Sequence, residues 1–138
     1  MRPFPIIIVD DDHDDIELMQ QVLEHLKFDS DVIIFDDSTK ALAYLQELKS
    51  QPLFILCDVN MHLLDGLNLR RALYENEEHR LKTIPFLFLS TSDAPPHIRH
   101  AYALCAQGYF IKPTNFDDLV ELLRAIITYW QLCSHPVG

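Results

Sequence analysis

The chain has 138 residues, close to the usual size of one domain, and 49% of them are apolar, which excludes a disordered chain and suffices for one core. The net charge of −10, with no run of lysine or arginine, argues against direct binding to nucleic acid, because such binding depends on neutralising phosphates. No segment approaches the roughly 18 apolar residues of a membrane span, and no secretion signal is recognisable at the N terminus.

The three cysteines are odd in number and do not have the spacing of metal ligands. We interpret them as reduced thiols, with Cys57 as a small core residue, and we expect a cytoplasmic protein. No repeat, low-complexity tract or linker divides the sequence. The chain is therefore expected to form a single domain over residues 1–138, with its core at about 5–130 and a short tail at 131–138.

Apolar segments and helical patterns alternate along the chain. In chain order, the predicted strands cover residues 4–9, 31–35, 53–58, 85–90 and 108–111. Apolar residues three or four positions apart predict helices around 16–26, 41–48, 67–73, 94–106 and 115–130. The charge run at 75–82 predicts a polar loop, and Ser92 or Asp93 is expected to cap the fourth helix. Several strands do not alternate with polar residues, which is typical of strands buried on both faces of a sheet.

Five strand–helix repeats predict an α/β fold with an open parallel sheet and helices on both faces. In such folds, ligands bind beyond the carboxyl ends of the strands. The residues expected at that edge are Asp10, Asp11, Asp12, Asp58, Ser90, Thr91, Ser92, Lys112 and Pro113.

Aspartates dominate this edge, since the stretch IIIVDDDHDD at 6–15 places five of them directly after an apolar run. Unpaired carboxylates raise each other's pKa and cost stability, whereas a divalent cation reverses that effect. Mg²⁺ prefers oxygen ligands and is often shared with a phosphate, so we predict a Mg²⁺ site where the first strand ends. Asp14 and Asp15 are expected in the first helical turn, where the helix dipole favours negative charge. Asp12 either assists the metal through water or begins the helix.

Four segments, IIIVDDD, LFILCDVNMHLLDG, FLSTS and YFIKP, resemble in their order and spacing the receiver domain of two-component response regulators, in particular the single-domain, chemotaxis-regulator-like ones. The resemblance covers about residues 5–130. It implies a flavodoxin-like fold of five βα units with strand order 2-1-3-4-5.

The resemblance also implies a role for the residues at the predicted edge. Asp58 corresponds to the aspartate that accepts a phosphoryl group from a phosphohistidine. Asp10 and Asp11 correspond to the acidic pair that holds Mg²⁺ or Mn²⁺, and Asp58 and the backbone carbonyl of Asn60 complete the metal ligands. Phosphoryl transfer needs positioning and charge neutralisation more than covalent help from the protein, which suits this set of residues.

Further positions implied by the resemblance concern binding and switching. Ser90 corresponds to the hydroxyl residue that bonds the phosphoryl group, and Lys112 to the lysine that pairs with it. Tyr109 corresponds to the aromatic switch residue, which is expected to move inward from solvent as Ser90 moves toward the phosphoryl group. Pro113 follows the lysine, where the family commonly has a cis peptide bond.

Three positions depart from the family pattern. His62 stands where a proline is usual, and we expect it to loosen the loop that follows Asp58. Ser90 replaces the commoner threonine and keeps the hydroxyl group, and Cys105 stands where glycine is frequent. None of these changes removes a required group, so the domain is expected to be phosphorylatable.

The expected function is signalling, with catalysis limited to the domain's own phosphorylation and dephosphorylation. Only a short tail follows residue 130, so output is expected through a protein contact or through relay of the phosphoryl group. The expected partners are a histidine kinase or histidine phosphotransfer protein and an unknown downstream protein, with no direct contact to nucleic acid or membrane. The face formed by 94–130 is the expected partner surface, in a monomer or a weak dimer. The edge near Asp14, Asp15 and Met19 is the rival surface, where a kinase would dock.

One alternative is a Mg²⁺-dependent phosphohydrolase of the haloacid dehalogenase type, which also forms an aspartyl phosphate. Those enzymes carry a second aspartate two residues after the nucleophile, where this chain has Asn60, and they place the nucleophile on the first strand. His97 and His100 are three residues apart on a predicted helix, but no third metal ligand is evident, so a solvated helix face is the preferred interpretation.

Overall fold

The structure is a computed structural model that describes residues 4–48 and 50–135. A five-stranded parallel sheet has the order β2-β1-β3-β4-β5, which confirms the predicted fold and strand order. The strands are β1 (Ile6–Val9), β2 (Val32–Phe35), β3 (Phe54–Cys57), β4 (Phe86–Ser90) and β5 (Gly108–Ile111). Each predicted strand is therefore present. The central strands β1, β3 and β4 are buried along their whole length between helices, whereas the edge strands β2 and β5 are partly exposed.

The helices of the described residues are α1 (His13–His25), α2 (Ser38–Glu47), α3 (Gly66–Tyr74), α4 (His79–Thr83), α5 (Pro95–Ala103) and α6 (Phe116–Leu132). The short helix α4 overlaps the segment 75–82 and ends one residue beyond it, so the prediction of a plain polar loop there is wrong. Leu81 is fully buried and anchors this turn to the core. A single apolar residue in a charge run carries no helical period, which is why the pattern did not reveal it. None of the helices described here combines the length and apolar character needed to cross a membrane.

Two apolar layers cover the two faces of the sheet. On one face, side chains of Ile7, Val9, Ile55, Cys57, Phe86 and Phe88 pack with residues of α2, α3, α4 and α5. On the other face, side chains of Ile6, Ile8, Phe54, Leu56, Leu87 and Leu89 pack with residues of α1 and α6. Successive strand residues thus point to opposite layers, and Cys57 is a buried core residue as predicted.

Side-chain caps set the starts of several helices and so fix the loops at the edge of the sheet. Asp12 is the N-cap of α1 and accepts hydrogen bonds from the amides of Asp14 and Asp15, so it begins the helix, which is one of its two predicted roles. Helix α5 begins after Ala94 without a side-chain cap bond, so the predicted cap at Ser92 or Asp93 is wrong. Prolines occupy the first two positions of α5 and carry no N–H for a cap to accept.

Candidate functional site

Lys112 lies among three carboxylates at the carboxyl edge of the sheet. Its Nζ atom is 3.1 Å from Asp10 Oδ2, 3.2 Å from Asp58 Oδ2 and 2.5 Å from Asp15 Oδ2. Asp10 and Asp58 follow the neighbouring strands β1 and β3, and Lys112 follows β5. The side chain of Lys112 is only 11% exposed, so these ion pairs are largely shielded from solvent. The topology therefore brings together Asp10, Asp58 and Lys112 as predicted.

Asp15 is also a member of this cluster, although the sequence predicts only that it lies in the first turn of α1. It lies four residues before the buried Met19, so both side chains lie on the helix face toward the sheet. The cap at Asp12 orients that turn, because its Oδ1 accepts the amide of Asp15 at 3.2 Å. The spacing to Met19 is the signal that could have revealed Asp15, whereas Asp14 is exposed.

A divalent cation fits the donor set of this cluster. One carboxylate oxygen from each of Asp10, Asp15 and Asp58 lies within 4.8 Å of the others, and hard cations prefer such oxygen ligands. Among the residues that the structure describes, Asp11 is not a member of this group. Its Oδ2 instead accepts the backbone amide of His62 at 2.9 Å. The group thus contains Asp10 and Asp58, two of the three predicted carboxylate ligands, while Asn60, whose predicted ligand is a backbone carbonyl, lies two residues after Asp58.

The contact between His62 and Asp11 runs against the expectation that His62 loosens its loop. The donor is a backbone N–H, which a proline at this position would lack. The bond joins the loop after β3 to the loop after β1, while the His62 side chain is exposed. The departure from the family pattern therefore adds a connection between two loops of the site.

Burial makes Asp10 an unusually weak acid. The side chain is 2% exposed, and desolvation raises its pKa from 3.8 to about 6, although the amide of Asp12 and the ammonium of Lys112 oppose the shift. For Lys112, desolvation alone would lower the pKa, but the hydrogen bond to Asp15 and the charges of Asp10 and Asp58 outweigh it and raise the pKa. The site thus holds an ionised lysine among carboxylates that carry excess negative charge.

We expect Asp10→Asn to stabilise the metal-free protein near neutral pH. Because the folded pKa of Asp10 is above its unfolded value, ionisation costs stability as pH rises through about 6, and the asparagine removes that cost. The shift corresponds to an upper limit of about 3 kcal/mol in the free energy of unfolding. Asparagine also keeps the Oδ1 atom that accepts the amide of Asp12. Urea unfolding in a chelator measures the gain, which should disappear below pH 3.8. A similar gain from Asp29→Asn, in an exposed loop, would contradict the explanation.

Ser92 connects Ser90 with the predicted switch residue Tyr109. The amide of Ser92 donates to Ser90 Oγ at 3.2 Å, and its carbonyl accepts the Tyr109 hydroxyl at 2.7 Å. Ser90 is fully buried, and the Tyr109 ring packs on Phe88 with ring centroids 5.9 Å apart. The Tyr109 ring is thus half-buried and held by these two contacts.

The two histidines on α5 contact different partners. His97 Nδ1 is 2.7 Å from Ser92 Oγ and His100 Nε2 is 2.8 Å from the Arg71 guanidinium, so each has its own partner. The Lys112–Pro113 peptide bond is trans, unlike the cis bond that is common at this position in the family; the trans form is the commoner one before proline. Cys105 has a φ of 62°, a left-handed conformation that explains why glycine is favoured at this position.

Comparisons with known proteins agree with this geometry. The chain is 32% identical over 133 residues to the response regulator Rcp1 of Synechocystis, and the match covers 93% of this chain and 89% of Rcp1. The crystal structure of the phosphorylated cyanobacterial phytochrome response regulator RcpA superposes with a TM-score of 0.86 at 29% identity, covering 96% of this chain and 98% of RcpA. The Mn²⁺-bound form of Rcp1 gives a TM-score of 0.85 at 30% identity, covering 98% of this chain and all of that chain.

A family model for the response regulator receiver domain matches residues 6–124. None of these findings supports the alternative of a haloacid dehalogenase-type phosphohydrolase, and Asp58 follows the third strand of the chain rather than the first. The match to the family model spans most of the chain and contains every strand of the sheet, together with the carboxylates and the lysine that meet at its edge. The chain therefore belongs to the response regulator receiver domain family.

Proposed function

We propose that this receiver domain acts as a single-domain response regulator in which Asp58 accepts a phosphoryl group from a histidine kinase or a histidine phosphotransfer protein. The main support for this proposal is the position of the Asp58 carboxylate at the edge of the sheet. Its Oδ2 atom lies 3.2 Å from Lys112 Nζ, beside the buried Asp10. As a receiver domain, the chain is not a conventional enzyme with a separate substrate. The only reactions that we propose it to catalyse are its own phosphorylation and dephosphorylation.

Asp58, Lys112 and Ser90 have separate roles in the proposed phosphoryl transfer. Asp58 Oδ1 accepts the amide of Val59 at 2.7 Å, which orients the carboxylate and leaves Oδ2 as the proposed nucleophile. The new P–O bond forms as the P–N bond of the phosphohistidine breaks. Lys112 is placed to pair with the transferred group, and Ser90 offers a hydroxyl donor.

Asp10, Asp11, Asp58 and the backbone carbonyl of Asn60 are the proposed ligands of Mg²⁺ or Mn²⁺. When bound, the cation would neutralise charge on the phosphoryl oxygens. The oxygen-rich cluster around Asp10 and Asp58 supports this assignment, because its negative charge is only partly balanced by Lys112.

Removal of the divalent cation tests the proposed reaction. We expect the purified chain to become labelled by acetyl phosphate in the presence of Mg²⁺, with a bond that hydroxylamine cleaves, as an acyl phosphate requires. A chelator should reduce the labelling to background, and added Mg²⁺ should restore it. Labelling that is unaffected by the chelator would contradict a metal-dependent site.

The proposed output surface is the face formed by 94–130. It contains an apolar groove of about 390 Å³ lined by Leu87, Gln107, Phe110, Leu122, Ala125, Ile126, Tyr129 and Trp130. Tyr129 is 61% exposed, which supports a protein contact, since large apolar patches on a domain surface commonly mark such contacts. We propose an unidentified downstream protein as partner and a monomer or weak dimer through this face, in the cytoplasm and without direct contact to nucleic acid or membrane.

We also propose that the chain forms one domain over residues 1–138, with its core at about 5–130 and a short tail at 131–138. Helix α6 continues to Leu132, and the ring of His135 lies 5.2 Å from that of Phe4. The described part of the tail thus packs against the start of the chain.

We expect the switch to depend on the Tyr109 hydroxyl. Beryllofluoride with Mg²⁺, which mimics a phosphoryl group on Asp58, should change amide-exchange protection across residues 91–113 in the wild type. Tyr109→Phe removes the bond to the Ser92 carbonyl, which is worth about 1 kcal/mol, and should shrink these changes. The exposed Tyr102→Phe on α5 is the matched control. Changes confined to the loops of Asp11 and Asp58 would rule out this switch.

A further inference from the structure

We infer that Asp15 is a positioning residue that holds the Lys112 ammonium beside the site and thereby frees Asp10 and Asp58 for a divalent cation. The inference rests on the proposed metal and phosphoryl site and adds to it a fourth carboxylate. It concerns the placement of Lys112, and it gives Asp15 no role as a metal ligand.

The contacts of Lys112 single out Asp15. The distance from Nζ to Asp15 Oδ2 is 2.5 Å, against 3.1 Å to Asp10 and 3.2 Å to Asp58. Charge-assisted hydrogen bonds of this kind are the strong ones in proteins, and the shielding of Lys112 from solvent strengthens them further. Asp15 is therefore the tightest partner of the lysine.

The cap at the start of α1 fixes the position of Asp15. The cap at Asp12 accepts the amides of both Asp14 and Asp15, which fixes the first turn relative to the end of β1. The Asp15 side chain is 34% exposed, so it lies at the rim of the cluster, whereas Asp10 lies at its base. Lys112 can thus remain bonded to Asp15 without occupying the inner oxygens.

Competition for the inner oxygens gives Asp15 its role. A lysine ammonium has three donors, and in this structure each points to one carboxylate. Asp10 and Asp58 must release Lys112 before they can ligate a cation. With Asp15 present, the lysine keeps a strong partner after this release and stays near the phosphoryl acceptor. Without Asp15, Lys112 depends on Asp10 and Asp58 alone and competes with the cation.

The alternative role for Asp15 is direct binding of the cation, which predicts a different experimental result. Its oxygen lies within the same 4.8 Å group as those of Asp10 and Asp58, so Asp15 could instead bind the cation itself. In that case the effect of removing Asp15 would persist when Lys112 is neutral. Comparing the effect of Asp15 in the presence and in the absence of the lysine charge therefore separates the two roles.

The test is a calorimetric titration with Mg²⁺ of Asp15→Asn and Asp14→Asn, each in the wild-type and in the Lys112→Met background. Asp14 is the matched control, because it lies in the same helical turn, carries the same charge and is exposed. We expect Asp15→Asn to weaken Mg²⁺ binding about five-fold in the wild type, which is within the range of couplings between residues in contact. Asp14→Asn should weaken it by less than about two-fold. In the Lys112→Met background, the two substitutions should have equal effects.

Two results would overturn the inference: equal effects of the two substitutions in the wild type, or an undiminished effect of Asp15→Asn when Lys112 is replaced. Thermal unfolding in a chelator provides a readout without metal, in which the shifts from Asp15→Asn and Lys112→Met should be non-additive. Additive shifts would also contradict the inference. Failure of the wild type to bind Mg²⁺ would instead overturn the proposed metal site, so the two failures are distinguishable.

Discussion

Asp58→Asn is expected to abolish labelling by acetyl phosphate or by a histidine kinase while the protein stays folded. The substitution removes the nucleophilic oxygen and leaves a side chain of nearly the same shape, so the Val59 amide keeps its acceptor. Among the residues that the structure describes, Asp58 is the one carboxylate that both follows β3 and lies beside Lys112, so labelling should fall to background rather than decrease in part.

The matched control for this prediction is Asp36→Asn. Asp36 directly follows β2 and so lies at the same edge of the sheet, but it is exposed and pairs with His13 at 3.1 Å. This variant should be labelled like the wild type. Stoichiometric labelling of the Asp58→Asn variant would show that another residue accepts the phosphoryl group.

Of the substitutions proposed for this protein, Gly66→Ala is expected to cause the largest decrease in the free energy of unfolding. A Cβ atom at Gly66 would lie 2.0 Å from the Asp58 carbonyl oxygen and 3.0 Å from Phe88 Cε1. The Gly66 amide also donates to the Val59 carbonyl at 2.9 Å, so the start of α3 is held close to the end of β3. Backbone cannot move aside as the end of a side chain can, so α3 would have to shift. We expect a loss of about 3 kcal/mol in the free energy of unfolding, measured by urea denaturation.

Gly108→Ala provides the control for this steric argument. A Cβ atom there would lie 3.1 Å from Phe110 Cε2 and 3.4 Å from Leu87 Cδ2, both of which are side-chain atoms that can adjust. The loss should be about 1 kcal/mol or less. Equal losses of unfolding free energy in the two variants would show that the close approach at Gly66 is not the cause of the destabilisation.

The sheet and the central part of the site were predictable because local patterns determine them. Buried strands give apolar runs, and parallel strands place their carboxyl ends at one edge, so Asp10, Asp58 and Lys112 converge by topology alone. Asp15 was not predicted as part of the cluster: its spacing to Met19 indicates the helix face it shares, but its distance from Lys112 depends on the exact turn at which α1 begins. That turn is set by the Asp12 cap, whose role the sequence left open.

Contacts between loops were the other part that local patterns did not predict. The bond from the His62 amide to Asp11 joins residues 51 positions apart, and the bond from Tyr109 to Ser92 joins residues 17 apart. Such contacts depend on the final packing of separate segments. Likewise, Leu81 is the single apolar residue within the charge run at 75–82, so that run contained no helical period that would have indicated α4.

Chemical mapping of the phosphoryl group tests the central claim most directly. Borohydride reduces an acyl phosphate to the corresponding alcohol, so treatment of the labelled wild-type protein should convert the phosphorylated aspartate to homoserine. Peptide mass spectrometry should then find homoserine at position 58 and at no other aspartate, and only after labelling in the presence of Mg²⁺. Homoserine at Asp10, Asp11 or Asp15, or stable labelling without any reducible acyl phosphate, would contradict the account.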